Sequence, residues 1–206
     1  KAAYFKWMNK KGFSGYILSI LSLFVNPLSA YLLKGKVKSL NIDLIHSNTS
    51  VINMGGLLSK RTGIPHLWHI REFGMEDHGL DFLFFKYKNR KFLSNEADKY
   101  IFISKALQYK YSTLIDSYKS VVLYNCIGNE YENEKTFQGN KEKICMLISG
   151  ILQEGKGQTD AILAVKLLKD MDYKVKLYIA GKAKLRKYFY LRRIRILIKR
   201  YQLEDY

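Results

Sequence analysis

Short apolar runs alternate with helical patterns along most of the chain. The runs occupy 41–46, 66–70, 97–103, 120–124, 144–148 and 175–180. Runs of this length between helical stretches are typical of buried parallel strands joined by right-handed crossovers. The alternation therefore predicts an α/β protein. An aromatic stretch from Asp81 to Phe92 predicts a further helix between two of the strands.

A polar stretch divides the chain into two parts. From Gly128 to Lys143 apolar residues are scarce, and charges of both signs are mixed. Such a composition is typical of a linker between domains. We predict a linker over 129–142, which joins a Rossmann-like domain at 1–128 to a second one at 143–206.

The longest apolar run, at 16–33, is long enough to raise the question of a membrane span. Asn26 and Pro27 lie near its centre, and a proline interrupts the hydrogen-bond ladder of a helix. The run therefore predicts two short helices. They could be core helices of a soluble domain. Alternatively, together with the basic stretch at 34–38, they could form an interfacial segment that enters an anionic leaflet.

The net charge of the chain is strongly positive. It has 35 Lys and Arg against 18 Asp and Glu, a formal charge of +17. This balance favours an anionic partner such as nucleic acid, an acidic membrane surface or a phosphorylated substrate. The final helical stretch, from Lys182 to Tyr201, is basic throughout and has no acidic residue. Because the sequence has no helix-turn-helix, zinc-ligand or RNA-binding aromatic motif beside it, nucleic acid is the least favoured of these partners.

Neither the cysteines nor the histidines follow a metal-binding pattern. Cys126 and Cys145 lie in or beside apolar runs, which predicts buried, reduced thiols in a cytosolic protein. The histidines lack the H-E-x-x-H spacing, and no Cys-x-x-Cys pair accompanies them. We therefore predict no metal site.

One stretch combines a strand, glycine turns and the start of a helix. An apolar run reaches Gly150, the sequence Gly155-Lys156-Gly157 follows, and a helical pattern begins at once. Backbone N–H groups and the helix dipole converge at such a point, so the stretch predicts a phosphate site. The spacing fits a P-loop, but Gly157 replaces the Ser or Thr that would bind magnesium, which argues against a P-loop NTPase. A tight turn with a solvated Lys156 is the simpler alternative.

Polar side chains follow the predicted strands of the first domain. Parallel sheets bind ligands at the carboxyl ends of their strands, so we expect these side chains at one edge. Structural roles are also open to them: Ser104 could cap a helix, and His69 could be a hydrogen-bonded core residue. Arg71 and Glu72 could form a surface ion pair. The full set is Ser47, Asn48, His69, Arg71, Glu72, Ser104 and Asn125.

Six segments follow one another in order along the chain: IDLIHSN, IPHLWHIREFG, KYIFISKAL, VVLYN, LISGILQEGKGQTDAILA and VKLYIAG. Together they resemble the central part of family 4 glycosyltransferases. The resemblance extends from Ile42 to Gly181 and rests on the order of the segments rather than on any one of them. It implies an α/β fold of the GT-B type with two Rossmann-like domains, both incomplete in this chain.

The resemblance also implies a retaining transferase with its chemistry between the two domains. The C-terminal domain would bind a UDP- or GDP-linked sugar, with Lys156 holding the diphosphate and Gly150 and Gly157 allowing the backbone to approach it. His69 would be the catalytic residue that faces the transferred sugar. No metal and no cofactor are implied. The residues lining the cleft on the side of a lipid-linked or glycan acceptor would be Ser47, Asn48, Arg71, Glu72, Ser104 and Asn125.

The chain departs from the family pattern in four ways. Ile151 stands where an arginine commonly follows the first glycine, and Cys126 stands where a glycine usually follows Asn125. The E-x7-E motif, which in the family lies beyond the basic helix, does not follow that helix in this sequence, and the glycine-rich first loop of the family does not precede the first predicted strand. We therefore expect the 206 residues to lack transferase activity on their own.

The functional hypothesis is a hexosyltransferase-type enzyme of cell-surface polysaccharide biosynthesis. It would work in the cytoplasm at the inner face of the plasma membrane, where its positive charge would favour anionic lipids and donors. Two alternatives stay open. One is a nucleotide-sugar 2-epimerase of the same fold, and the other is a non-catalytic basic module that binds membranes or nucleic acid.

Overall fold

The chain folds into two compact units, Lys1–Glu130 (unit 1) and Tyr131–Tyr206 (unit 2). The structure, a computed structural model, describes residues 2–84, 88–126, 128, 143–183 and 188–206. The linker predicted at 129–142 lies outside the described residues. The same is true of 184–187, within the predicted final helix.

Unit 1 combines a parallel sheet, an antiparallel strand pair and several helices. Its sheet has the strand order β2 (Ile45–Ser47), β3 (His66–Ile70), β5 (Lys99–Phe102) and β6 (Ser120–Val122), and all neighbouring strands in it are parallel. The predicted α/β alternation is therefore confirmed, although β2, β5 and β6 are shorter than the apolar runs that predict them. In chain order, the described elements are β1 (Met8–Lys10), α1 (Phe13–Ser39), β2 (Ile45–Ser47), α2 (Met54–Thr62), β3 (His66–Ile70), α3 (Met75–His78), β4 (Leu80–Phe82), α4 (Arg90–Ser94), β5 (Lys99–Phe102), α5 (Lys105–Tyr111), a 3-10 turn (Ser117–Lys119) and β6 (Ser120–Val122).

A column of buried aromatic rings forms the centre of unit 1. The rings of Trp7 and Trp68 stack at 5.5 Å, and those of Trp68 and Tyr100 at 6.0 Å. Each indole also donates a hydrogen bond to the loop after β2: Trp7 to the carbonyl of Ser50 at 2.8 Å, and Trp68 to that of Thr49 at 2.6 Å. Buried indole N–H groups need such partners. The core thereby fixes the loop that carries Asn48.

The aromatic helix predicted from Asp81 to Phe92 is wrong. Asp81 and Phe82 lie in β4, which pairs with β1 in antiparallel register, and the following helix begins only at Arg90. The ring of Phe82 packs edge-on against Trp7, with 5.0 Å between centroids. Burial against a residue distant in sequence therefore outweighs the helical spacing of the aromatic residues. Residues 85–87 lie outside the described part of the chain.

The predicted break of the apolar run at Pro27 is also wrong, because Pro27 lies inside α1, a single helix of 27 residues from Phe13 to Ser39. The inward face of α1 is polar and is hydrogen-bonded to the extended N-terminal segment. The amide of Asn26 exchanges two bonds of 2.8 Å with the backbone of Phe5, and Ser19 accepts one from Asn9 at 2.9 Å. These contacts, together with the packing of α1 on α2, hold the helix together across the proline.

The outward face of α1 is apolar, the reverse of the usual arrangement in a surface helix. Of the helices in the described residues, α1 passes the length and composition test for a membrane span, which core helices of soluble proteins and leader sequences also pass. The large apolar side chains exposed along it are Phe13, Tyr16, Ile17, Leu18, Ile20, Leu21, Phe24, Leu28, Tyr31 and Leu32.

Unit 2 is a smaller parallel unit. Strands β7 and β8 pair in parallel along their whole length, and residues of both helices form the core with them. The most buried core side chains are Ile162 and Val165 of the first helix and Val175 of the second strand. Its described elements are β7 (Ile144–Ser149), α6 (Gln158–Asp170), β8 (Val175–Ala180) and α7 (Tyr188–Arg200).

The prediction of buried thiols is wrong, because Cys126 and Cys145 are both exposed. Cys126 follows β6 in a segment whose side chains are exposed. Cys145 shares a face of β7 with Leu147, which is 69% exposed. An apolar run predicts a strand but not which of its two faces is covered.

Candidate functional site

Arg71 connects three strand ends at the carboxyl edge of the unit 1 sheet. Its Nη1 donates to Oδ1 of Asn48 at 3.5 Å, and its Nη2 donates to Oδ1 of Asn125 at 3.3 Å. Asn48 follows β2, Arg71 follows β3 and Asn125 follows β6. The structure therefore brings these three predicted residues together.

Glu72 is hydrogen-bonded to the loop after β2. Its Oε2 accepts hydrogen bonds from the backbone N–H of Ser50 at 3.0 Å and from the hydroxyl of Ser50 at 3.2 Å. Among the described residues, no ion pair joins Glu72 to Arg71. The interpretation of the two as a surface ion pair is therefore wrong, and Glu72 instead holds the loop after β2.

Ser47 and Ser104 use their hydroxyls inside the fold. The hydroxyl of Ser47 is 2.9 Å from Nε2 of the buried His66, whose Nδ1 is 2.7 Å from the carbonyl oxygen of Glu96. Ser104 caps α5 by accepting from the N–H of Leu107 at 3.2 Å, so its interpretation as a helix cap is confirmed. Both serines position the sheet edge.

His69 has a ring nitrogen without a partner. Its Nε2 is buried and makes no hydrogen bond within the described part of the chain, so the interpretation as a hydrogen-bonded core residue is not supported. Its ring stacks on that of His46, with 5.9 Å between centroids and 8° between planes. Burial first, and then the charges of Arg71 and His46, lower the pKa of His69. A neutral imidazole with a free nitrogen can exchange a hydrogen bond with a sugar hydroxyl.

In unit 2, β7 leads through a glycine turn into α6. Gly150, Gly155 and Gly157 have φ angles of 149°, 82° and 76°, a region that favours glycine. The carbonyl of Gly157 accepts the first hydrogen bond of α6 at 2.9 Å, and none of the described side chains caps the helix. The N–H groups of its first turn can therefore bind an anion. Lys156 lies in this turn and is exposed.

A buried network that the sequence does not reveal supports this turn. The amide of Gln158 donates to the carbonyl of Ile151 at 3.1 Å and accepts from the hydroxyl of Tyr190 at 3.1 Å. Oγ1 of Thr159 lies 3.0 Å from the same hydroxyl. Tyr190 belongs to the basic helix α7, so one role of that helix is to hold the turn in place. The buried side of α7 was detectable from its apolar spacing, but the partners of Tyr190 were not.

Close approach of two glycines fixes the other side of the turn. The N–H of Gly150 donates to the carbonyl of Ala180 at 2.9 Å. A Cβ atom on Gly181 would lie 1.8 Å from the carbonyl oxygen of Gly150. A side chain at Gly181 would therefore displace the backbone at the start of the turn. Among the described residues, no group of His, Cys, Asp and Glu side chains is arranged to hold a metal ion.

Two α/β units, each with parallel strands that end in polar or glycine-rich turns, are typical of the GT-B fold. Similar solved structures include Alr3699/HepE from Anabaena, in complex with UDP and glucose. Its TM-score is 0.61 at 22% identity, and the match covers 84% of this chain and 49% of that one. A point mutant of TarM from S. aureus, in complex with fondaparinux, alpha-GlcNAc-glycerol and UDP, has a TM-score of 0.52 at 13% identity, covering 86% of this chain and 35% of that one.

The likeness to these structures shows the fold. It confirms the predicted α/β architecture of the GT-B type. This chain spans about half the length of the HepE chain (49%) and about a third of the TarM chain (35%). No protein-family model and no curated protein sequence matches the chain significantly.

We predict that acidification destabilises unit 1 through His66. Burial lowers the pKa of His66 below its ordinary value of about 6.5, so the unfolded chain takes up a proton that the folded chain does not. The free energy of unfolding therefore keeps its full contribution from the neutral His66 ring above about pH 6.5. This contribution is lost as the pH falls below that value. Titration of the imidazole resonances should give His66 a midpoint below about 6.5.

The His66→Gln variant is the control for this pH effect. Its free energy of unfolding should fall less steeply than that of the wild type between about pH 7.5 and about pH 5.5. A His66 midpoint at or above the ordinary value, or equal slopes for the two proteins, would contradict the assignment.

Proposed function

We propose that the chain belongs to a retaining glycosyltransferase of family 4 that takes its sugar from a UDP- or GDP-linked donor. The observation that carries the proposal is the strand–glycine turn–helix of unit 2, in a chain of GT-B fold. The similar HepE and TarM structures are complexes with UDP, which supports a nucleotide-sugar donor. Those complexes also contain glucose and alpha-GlcNAc-glycerol, which supports the proposal that an enzyme of this fold binds a saccharide acceptor or product.

The donor diphosphate would bind at the start of α6. Three glycines with positive φ leave the backbone open there, and the first-turn N–H groups together with Lys156 supply positive electrostatic potential. During transfer, the bond between the anomeric carbon and the phosphate oxygen breaks, and its electron pair stays on the diphosphate. Fixed donors stabilise this developing negative charge most strongly when they are already oriented.

The acceptor side would be the carboxyl edge of the unit 1 sheet. We assign to His69 the role of contacting the transferred sugar through its unpartnered Nε2. An acceptor hydroxyl would pass its proton to an oxygen of the departing diphosphate as its own oxygen bonds to the anomeric carbon, on the face from which the phosphate leaves. Asn48, Arg71 and Asn125 would orient the acceptor, whereas Ser47, Glu72 and Ser104 would support this edge through their internal hydrogen bonds.

In the cell, the enzyme would be a hexosyltransferase of cell-surface polysaccharide biosynthesis, working in the cytoplasm on a lipid-linked or glycan acceptor. The outward face of α1 supports a position at the inner face of the plasma membrane. This helix contains no acidic residue, and Lys34, Lys36 and Lys38 follow its apolar stretch. Apolar side chains flanked by lysines suit an anionic lipid surface.

We predict that Lys156→Ala weakens binding of UDP. Loss of a charge-assisted contact costs about 1.5–3 kcal/mol, so the dissociation constant should rise by roughly 10- to 100-fold. The measurement is calorimetric titration of the chain with UDP. Lys174→Ala is the matched control, because Lys174 is an exposed lysine of unit 2 directly before β8, at the opposite end of the strands. If wild type and Lys156→Ala bind UDP equally well, or if the wild type does not bind UDP, the assignment of the donor site to this turn is wrong.

We predict that the chain sediments with vesicles of phosphatidylcholine and phosphatidylglycerol, and less with phosphatidylcholine alone. Replacing Phe24 and Leu28 with serine should abolish this binding, since they are 71% and 58% exposed on α1. Phe189→Ser is the control, because this residue of α7 is 81% exposed and belongs to unit 2. Self-association of the wild type without vesicle binding would show that protein, rather than lipid, covers α1.

A further inference from the structure

The guanidinium of Arg71 is oriented by neutral partners. The amide oxygens of Asn48 and Asn125 accept from its two terminal nitrogens, at 3.5 Å and 3.3 Å. These amides belong to loops after two different strands, so the side chain lies along the edge of the sheet. Amide oxygens fix the direction of a guanidinium but leave its positive charge uncompensated.

Among the described residues, no carboxylate lies within ion-pair distance of Arg71. The nearest acidic residue in sequence, Glu72, is hydrogen-bonded to the backbone and hydroxyl of Ser50. Arg71 is exposed, and a guanidinium has five N–H donors, of which the two asparagines use only two. The arginine therefore presents a charged, oriented set of donors to a ligand.

Arg71 directly follows β3 and stands two residues after His69, and its charge is one of those that lower the pKa of His69, so the two groups are neighbours at this strand end. The imidazole offers a nitrogen without a partner, and the guanidinium offers the N–H donors that the two asparagines leave free. A sugar that carries an anionic substituent matches both groups: a hydroxyl can bond to the imidazole, and two oxygens of the anion can bond to the guanidinium. A neutral sugar would leave the charge of Arg71 without an anionic partner.

We propose that Arg71 binds an anionic group of the acceptor, a phosphate or a carboxylate, so that the enzyme selects acidic acceptors. That the anion belongs to an acceptor rests on the proposed function, whereas binding of an anion at Arg71 does not. The shared chemistry is a planar or tetrahedral oxyanion attached to a sugar. A phosphate could come from a sugar phosphate or from a lipid-linked phosphate, and a carboxylate from a uronic acid.

The test is titration of the 206-residue chain with three probes: glucose 1-phosphate, glucuronate and glucose. The Nε–H resonance of Arg71 reports contact at this residue. We expect at least one anionic sugar to shift this resonance and to bind more tightly than glucose. The affinity should fall as salt is added, because the contact is between exposed charges. Arg71→Gln should weaken binding of that probe by about tenfold or more.

Arg61→Gln is the matched control. Arg61 also belongs to unit 1 and also donates to a neutral oxygen, the carbonyl of Leu57 at 3.3 Å, but it lies at the end of α2 rather than at the strand ends. Its substitution should leave binding unchanged. A second variant, Asn125→Ala, keeps the arginine charge and removes one of its two anchors, so it should cause a smaller loss. Circular dichroism checks that each variant is folded.

Binding of glucose 1-phosphate alone supports a phosphate group on the acceptor, and binding of glucuronate alone supports a uronic acid. The inference is overturned if glucose binds as tightly as both anionic sugars, if neither anionic sugar binds, or if Arg71→Gln binds them like the wild type. Titration of the same proteins with UDP keeps the two claims apart. Loss of UDP binding concerns unit 2 and the proposed donor, whereas loss of anionic-sugar binding concerns Arg71.

Discussion

Parallel pairing of strands is the constraint on which both units depend. Since paired strands run in the same direction, the loops that follow them open at one edge of each sheet. In unit 1 this edge holds Asn48, His69, Arg71 and Asn125, and in unit 2 it holds the glycine turn before α6. One edge thus offers a neutral imidazole beside an oriented cation, and the other offers open backbone N–H groups. Groups of the first kind can hydrogen-bond a hydroxyl and an anion, and groups of the second kind can bind a phosphate.

Elements bounded by local signals could be predicted from the sequence. Strands β3 and β8 and the start of α6 agree with their apolar runs to the residue, because glycines or polar residues border those runs. Two other elements depend on partners distant in sequence. The continuity of α1 through Pro27 depends on bonds to the N-terminal segment, and β4 depends on pairing with β1. Local spacing contains no information about either partner.

The membership of the candidate site was predictable from topology, but the roles of its members were not. Ser47, Glu72 and Ser104 stand at strand ends as expected, yet their polar atoms are bonded within the fold. Conversely, His46 stacks on His69, and Gln158 with Tyr190 holds the glycine turn, although neither pair forms a recognisable motif. Which polar group stays available for a ligand depends on hydrogen-bond partners, and only the folded structure shows them.

We propose that the turn between β7 and α6 binds the diphosphate of an activated sugar. The most direct measurement is the change in backbone amide shifts of the chain on addition of UDP, compared with uridine. We expect UDP, and not uridine, to shift the amides of Gly157, Gln158 and Thr159, because the diphosphate would lie at the start of α6. Identical changes with uridine, or changes with UDP confined to residues outside this turn, would contradict it.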